Sequence, residues 1–247
     1  MMRYEISETE KALKIKNGQI LGILDSGSYW TWNLVSRSSQ VLIYDILTPE
    51  FTSTWANAII SNHPELLKTY FVLADPNDKQ VAIINKGGKF YGLLEPGKRM
   101  LYWNVLEEIT VEYVDISDFE EIPAEKVRTL IKKVPDSEQL LFAIVPEGYI
   151  GILYVDGKLI KTLDPGAYAY WRGRTSVQVS MMDLRLQNME VTGQEILTKD
   201  RVSLRLNFEA FYKIVDPIVA VSETSNLKDY LYKEFQFALR QYIGTRT

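Results

Sequence analysis

The chain has 247 residues, 46 % of them hydrophobic, a formal net charge of −4 and no cysteine. A chain of this size and apolar content buries a substantial core in one large or two ordinary domains, which excludes disorder and fibrous repeats. The acidic balance without a basic run excludes broad electrostatic binding of nucleic acid. The missing cysteines exclude disulfides, thiolate nucleophiles and cysteine metal sites, which fits a reducing compartment.

The opening MMRYEISETE lacks the apolar stretch of a signal peptide, and eighteen consecutive apolar residues occur nowhere. No segment is therefore expected to span a membrane by itself. The first predicted element is a β hairpin turned by Asn17-Gly18, a dipeptide that accepts the two positive φ values of a type I′ turn. Leu24-Asp25-Ser26-Gly27 follows, then Trp30 and Trp32, then a strand ending at Asp45. The same order returns as Gly87-Gly88, Leu94-Glu95-Pro96-Gly97, Trp103 and Asp115, and again as Asp156-Gly157, Leu163-Asp164-Pro165-Gly166, Trp171 and Asp183. The chain thus reads as one β module used three times. Gly27, Gly97 and Gly166 are expected to share one backbone conformation, a type II turn in which glycine takes the positive φ.

The repeat assigns structural roles to residues that otherwise look like sites. Trp30 and Trp32 align with Leu101 and Trp103 and with Ala169 and Trp171, so they are expected to face the core rather than stack on a sugar or base. Gly88-Lys89 and Gly157-Lys158 lack the spacing and the hydroxyl residue of a phosphate-binding loop. Asp45, Asp115 and Asp183 end their strands and are expected to cap the turns that follow.

Between the first two copies, residues 49–71 predict two short helices, with Asn62 and Glu65 at capping-box spacing around Pro64. The single histidine, His63, lies beside that cap; without a second histidine or any cysteine it is expected to be structural. Residues 123–133 predict a third helix with Val127, Leu130 and Ile131 inward. After the third copy, residues 190–215 alternate as a strand pair, with Val202, Leu204, Leu206 and Phe208 on one face. A long helix is expected from Leu227 to Tyr242, capped by Asn226 and stopped by Gly244. Its aromatic side chains Tyr230, Phe235, Phe237 and Tyr242 are candidate subunit contacts. Trp171, Arg172 and Arg174 form the one aromatic-basic turn that suits an anionic interface and are candidate membrane contacts.

From Val145 onward the chain resembles the stomatin/prohibitin/flotillin (SPFH, band 7) family, bacterial slipins in particular. The resemblance rests above all on Glu195-Ile196-Leu197-Thr198-Lys199-Asp200 and Lys213-Ile214-Val215-Asp216-Pro217. Taken with the repeat, it gives an expected α+β fold of three tandem β-hairpin-rich modules with short helical connectors, the third merging into an SPFH domain with a C-terminal helix. The expected divisions are 1–75, 76–144 and 145–247. It further implies a non-enzymatic, membrane-associated scaffold that forms homo-oligomers and organises partners such as a membrane protease, at a lipid surface, in the cytoplasm or on the inner face of the membrane. In that family a membrane segment precedes the domain and a heptad-bearing helix follows it. Here β modules stand in the first place, and the chain is expected to be cut before the second, so that it associates weakly by itself. No catalytic, cofactor or metal residue is expected. The alternative is a ligand-binding or hydrolytic module using carboxylates and aromatics, in which two acids would face each other about 5 to 10 Å apart.

Overall fold

A computed structural model describes residues 2–31 and 39–245. The chain divides into two units, Met1–Leu141 with Ala169–Thr175, and Phe142–Tyr168 with Ser176–Thr247. Residues 1–141 of the first two divisions expected from sequence fall in the first unit, and 142–144 fall in the second.

The first unit begins with β1 (Met2–Ile6), β2 (Glu10–Lys16), β3 (Gln19–Leu24), β4 (Gly27–Thr31) and β5 (Ser39–Asp45), followed by α1 (Ala56–Asn62) and α2 (Pro64–Tyr70). It continues with β6 (Phe71–Ala74), β7 (Gln80–Lys86), β8 (Lys89–Leu94), β9 (Met100–Trp103), β10 (Ile109–Asp115) and α3 (Ala124–Lys133). Strands β11 (Leu140–Val145), β12 (Tyr149–Val155), β13 (Lys158–Leu163), β14 (Gly166–Trp171) and β15 (Val177–Asp183) come next, and the division between the units falls within β11 and β14. The second unit ends with β16 (Gln187–Leu197), β17 (Ser203–Tyr212), α4 (Pro217–Glu223) and α5 (Leu227–Gly244).

Three antiparallel three-stranded sheets have the orders β3-β2-β5, β8-β7-β10 and β13-β12-β15. Their hairpin turns place Asn17 and Gly18, Gly87 and Gly88, and Asp156 and Gly157 all at positive φ, the type I′ pattern. Each hairpin slips register at one place, between Lys14 and Ile15, Ile84 and Asn85, and Leu153 and Tyr154. These bulges stand at equal distance from the turn and twist each hairpin alike. The chain also forms two-stranded pairs, β1-β4, β6-β9 and β11-β14.

Apolar clusters among the described residues hold the first unit. One gathers Leu13, Ile15, Phe51, Ile59, Phe71 and Trp103, and the Phe51 and Trp103 rings meet edge-on with centroids 5.3 Å apart, a favourable aromatic geometry. Another joins Ala82, Ile84, Leu94, Tyr102 and Ile109. Alternation along β7 puts Ile84 in that cluster and turns Ile83 and Asn85 to the opposite face.

Several expectations are corrected. Gly97 alone makes the type II turn: its φ is +68° and the amide of Lys98 donates to the carbonyl of Glu95 at 3.2 Å. Gly27 has a φ of +149°, Gly166 has no positive φ, and each opens a strand instead. Trp30 is 57 % exposed, with the Arg3 guanidinium 5.7 Å from its ring centroid; Trp32 lies outside the described residues. His63, not Asn62, is the N-cap of α2, and no side chain caps that helix. Pro64 at the first helical position leaves one fewer unpaired amide at the helix start. Val202 lies outside the strands in an exposed loop. Gly244 is the last residue of α5, and Thr245 is its C-cap.

Candidate functional site

Helix α5 starts where the Asn226 side chain accepts a hydrogen bond from the amide of Asp229 at 3.3 Å. Leu227, Leu231, Phe235 and Leu239 are half-buried on its inner stripe, where α5 packs on β16 and the Phe235 and Tyr212 rings lie 6.4 Å apart. Of the four candidate contact residues, Phe235 is therefore committed to the sheet. Tyr230, Phe237 and Tyr242 are more than half exposed. Tyr230 and Phe237 are seven residues apart, close to two helical turns, and so share a solvent stripe. Sequence periodicity placed all four on the helix but did not separate inner from outer aromatics, because no residue of α5 is fully buried.

The aromatic-basic turn is built differently from the expectation. Trp171 is only 5 % exposed, and its amide donates to the carbonyl of Glu120 at 3.0 Å. A side chain sealed in this way cannot enter an interface, so the candidate membrane contact reduces to Arg172 and Arg174, both exposed. Between them Gly173 presses on the Ile116 carbonyl oxygen so closely that a Cβ would overlap it. The two arginines and Lys79 line a notch of about 150 Å³. Lys79 was not legible as a partner, since only tertiary folding brings it there.

The three aspartates close their own turns. Asp45 accepts from the amide of Leu47 at 2.8 Å, Asp115 from Ser117 at 2.8 Å and Asp183 from Arg185 at 3.0 Å. The Asp115 carboxyl is held below its ordinary range chiefly by hydrogen bonds from Ser117. That of Asp183 is held well below it by the Arg185 side chain, whose Nε donates to Oδ1 at 2.8 Å. Stably ionised acids make turn acceptors but poor proton donors. The Tyr91 phenol is pushed up to about 12 by burial and then by Glu50, to which it donates at 3.0 Å; Tyr102 is also pushed up to about 12, by burial first. Neither supplies a phenolate near neutral pH. His63 Nδ1 lies 3.2 Å from Glu65 Oε1 on the surface. Among the described residues no group of three His, Cys, Asp or Glu side chains is placed to hold a metal ion.

A cleft of about 530 Å³ in the first unit is lined by residues of β7, β8, β10 and α3. Ile83, Phe90 and Trp171 contribute its apolar lining, while Glu112, Glu120 and Glu125 bring carboxylates to it. All three acids are exposed.

Comparison with known proteins agrees with the fold of the C-terminal part. The SPFH domain / Band 7 family model matches residues 143–247. An uncharacterized protein of Archaeoglobus fulgidus is 35 % identical over 104 residues, 41 % of this chain and 40 % of the relative. A stomatin homologue of Pyrococcus horikoshii is 38 % identical over 64 residues, 26 % of this chain and 24 % of the relative. Stomatin-1 of Caenorhabditis elegans is 35 % identical over 66 residues, 27 % of this chain and 20 % of the relative. The chain thus spans well under half the length of the relatives it matches. Residues 143–247 are thus similar to SPFH/Band 7 domains, stomatin homologues among them, and the chain is a mixed α/β protein. Among the described residues no helix is long and apolar enough to cross a membrane.

Proposed function

We propose that this chain is part of a non-enzymatic, membrane-associated scaffold that assembles with copies of itself and organises partner proteins, a membrane-bound protease among them. The observation that carries the reading is the solvent stripe of α5 inside the matched segment. Tyr230 and Phe237 expose large aromatic surface there, and exposed aromatic surface is what a subunit interface uses. The three sheets of like order and bulge position support a reading as three copies of one module, 1–75, 76–144 and 145–247, the third merging into the SPFH domain. Peripheral attachment at the cytoplasmic face of a membrane follows from the family role and from the exposed Arg172 and Arg174. Sedimentation velocity over a concentration series tests the assembly. The chain is expected to associate weakly and reversibly, and Tyr230→Ser with Phe237→Ser to abolish the association. A monomer at every concentration, with and without vesicles, overturns it.

The acid-lined cleft favours a second reading, a binding module for a cationic ligand rather than a hydrolase. Spermidine titrated into the chain and followed by amide shifts in residues 112–125 tests it; shifts no larger than those given by sodium chloride dismiss it.

A further inference from the structure

We propose that the notch formed by Lys79, Arg172 and Arg174 is a binding site for a phosphate monoester or inorganic phosphate. The proposal deepens the membrane-contact reading of this turn by naming the group it recognises, and it does not depend on self-assembly through α5.

The site is assembled from separate parts of the sequence. Lys79 comes from the segment before β7, and Arg172 and Arg174 follow β14; Ser117 and Gln139 complete the lining with further polar groups. Backbone contacts lock these pieces together. The amide of Ile116 donates to the carbonyl of Lys79 at 2.8 Å, the amide of Arg172 to that of Gln139 at 2.7 Å, and Gly173 abuts the Ile116 carbonyl. Arg172 and Arg174 therefore stand on either side of a glycine whose backbone cannot shift without breaking that contact. The fixed backbone starts both arginine side chains from set positions at the notch, so only side-chain freedom is left to lose on binding.

The charge balance points to an anion. Asp78 lines the notch, and Asp115 is near enough for Lys79 to lower its pKa. Arg172 and Arg174 nevertheless make no ion pair and no side-chain hydrogen bond among the described residues. Two guanidinium groups and an ammonium held together repel one another, and an oxyanion relieves that repulsion while accepting charge-assisted hydrogen bonds. Arginine forks match phosphate oxygens in pairs, and a notch of about 150 Å³ has the volume of several water molecules, room for a tetrahedral oxyanion.

The ligand has two sources, a lipid headgroup or a soluble phosphate, and the test separates them. The whole chain is titrated with sodium phosphate and followed by amide NMR. Saturable shifts are expected at Ser117, Arg172, Gly173 and Arg174, and the affinity should fall at least about tenfold in Arg172→Gln/Arg174→Gln. Lys89→Gln/Lys158→Gln, which removes the same charge at two hairpin ends, should bind as the parent does. Co-sedimentation then uses phosphatidylcholine vesicles with and without phosphatidic acid. Binding only with phosphatidic acid, lost in the arginine pair variant and displaced by free phosphate, assigns a lipid headgroup. Phosphate shifts without vesicle binding assign a soluble phosphate. Shifts that do not saturate, or that persist in a folded arginine pair variant, overturn the proposal.

Discussion

Gly173 and Ile116 approach so closely that the glycine has no room for a side chain: a Cβ would overlap the Ile116 carbonyl oxygen. That single contact fixes the turn between two arginines. Gly173→Ala is accordingly expected to destabilise the protein by about 1–3 kcal/mol or more, the range for overpacking against atoms that cannot move aside. Gly18→Ala has open space around its new methyl group and is strained only by its φ of +74°, at a cost of roughly 1–2 kcal/mol. Urea midpoints of the two variants check the order, with Gly173→Ala the lower.

Acid sensitivity should trace to the turn aspartates. Asp183 has its folded pKa depressed by Arg185 and Asp115 by Ser117, so each folded carboxyl binds fewer protons than its unfolded counterpart, which titrates near about 3.9. Their stabilisation is present above that value and is lost as the pH falls through it toward the folded pKa. Asp183→Asn keeps a side-chain oxygen for the turn but loses the charge. Its stability is expected to fall less than the parent's between about pH 5 and pH 2. Equal slopes for parent and variant would remove the Arg185 pairing from the account.

At the alkaline end the sign reverses. Tyr91 and Tyr102 titrate at about 12 in the folded chain, above the ordinary phenol value of about 10. The folded state therefore holds more protons than the unfolded state between these values, and stability declines as the pH rises through them. The Tyr91→Phe/Tyr102→Phe variant should show a shallower alkaline decline, and the parent's absorbance at the phenolate band should show two tyrosines ionising late.

What sequence made legible was governed by neighbours along the chain. Asn17-Gly18, Gly87-Gly88 and Asp156-Gly157 need positive φ and have it, and the three aspartates serve the amides two residues on. The Leu-acid-x-Gly segments share a sequence pattern but differ in the residue two beyond the glycine. Tyr29 and Tyr168 lay their rings beside Gly27 and Gly166, within 3.6 and 3.4 Å of where a Cβ would stand, and the chain stays extended. The corresponding residue after Gly97 is Arg99, which donates to Asp75 at 2.9 Å, and there the chain turns. The site residues were half legible for a similar reason: Arg172 and Arg174 are neighbours in sequence, whereas Lys79 reaches them only through the folded backbone.

The paired phenylalanines of α5 separate folding from assembly. Phe235 meets Tyr212 on the inner side of the helix, while Phe237 is 64 % exposed. Phe235→Ala removes packing between helix and sheet and is expected to cost about 1–3 kcal/mol, less than a fully buried phenylalanine because the site is only half enclosed. Phe237→Ser loses no comparable packing within the unit, so its melting temperature should stay with the parent's. Its effect should appear instead in sedimentation, as a loss of the weak association proposed for the Tyr230–Phe237 stripe. Weak contacts repeated around a closed ring become strong through multivalency, so one substitution on that stripe should act on the assembly far more than on a single pair. A Phe237→Ser protein that melts early would place this side chain in the fold, and one that melts normally and associates as before would leave the α5 stripe without a role in assembly.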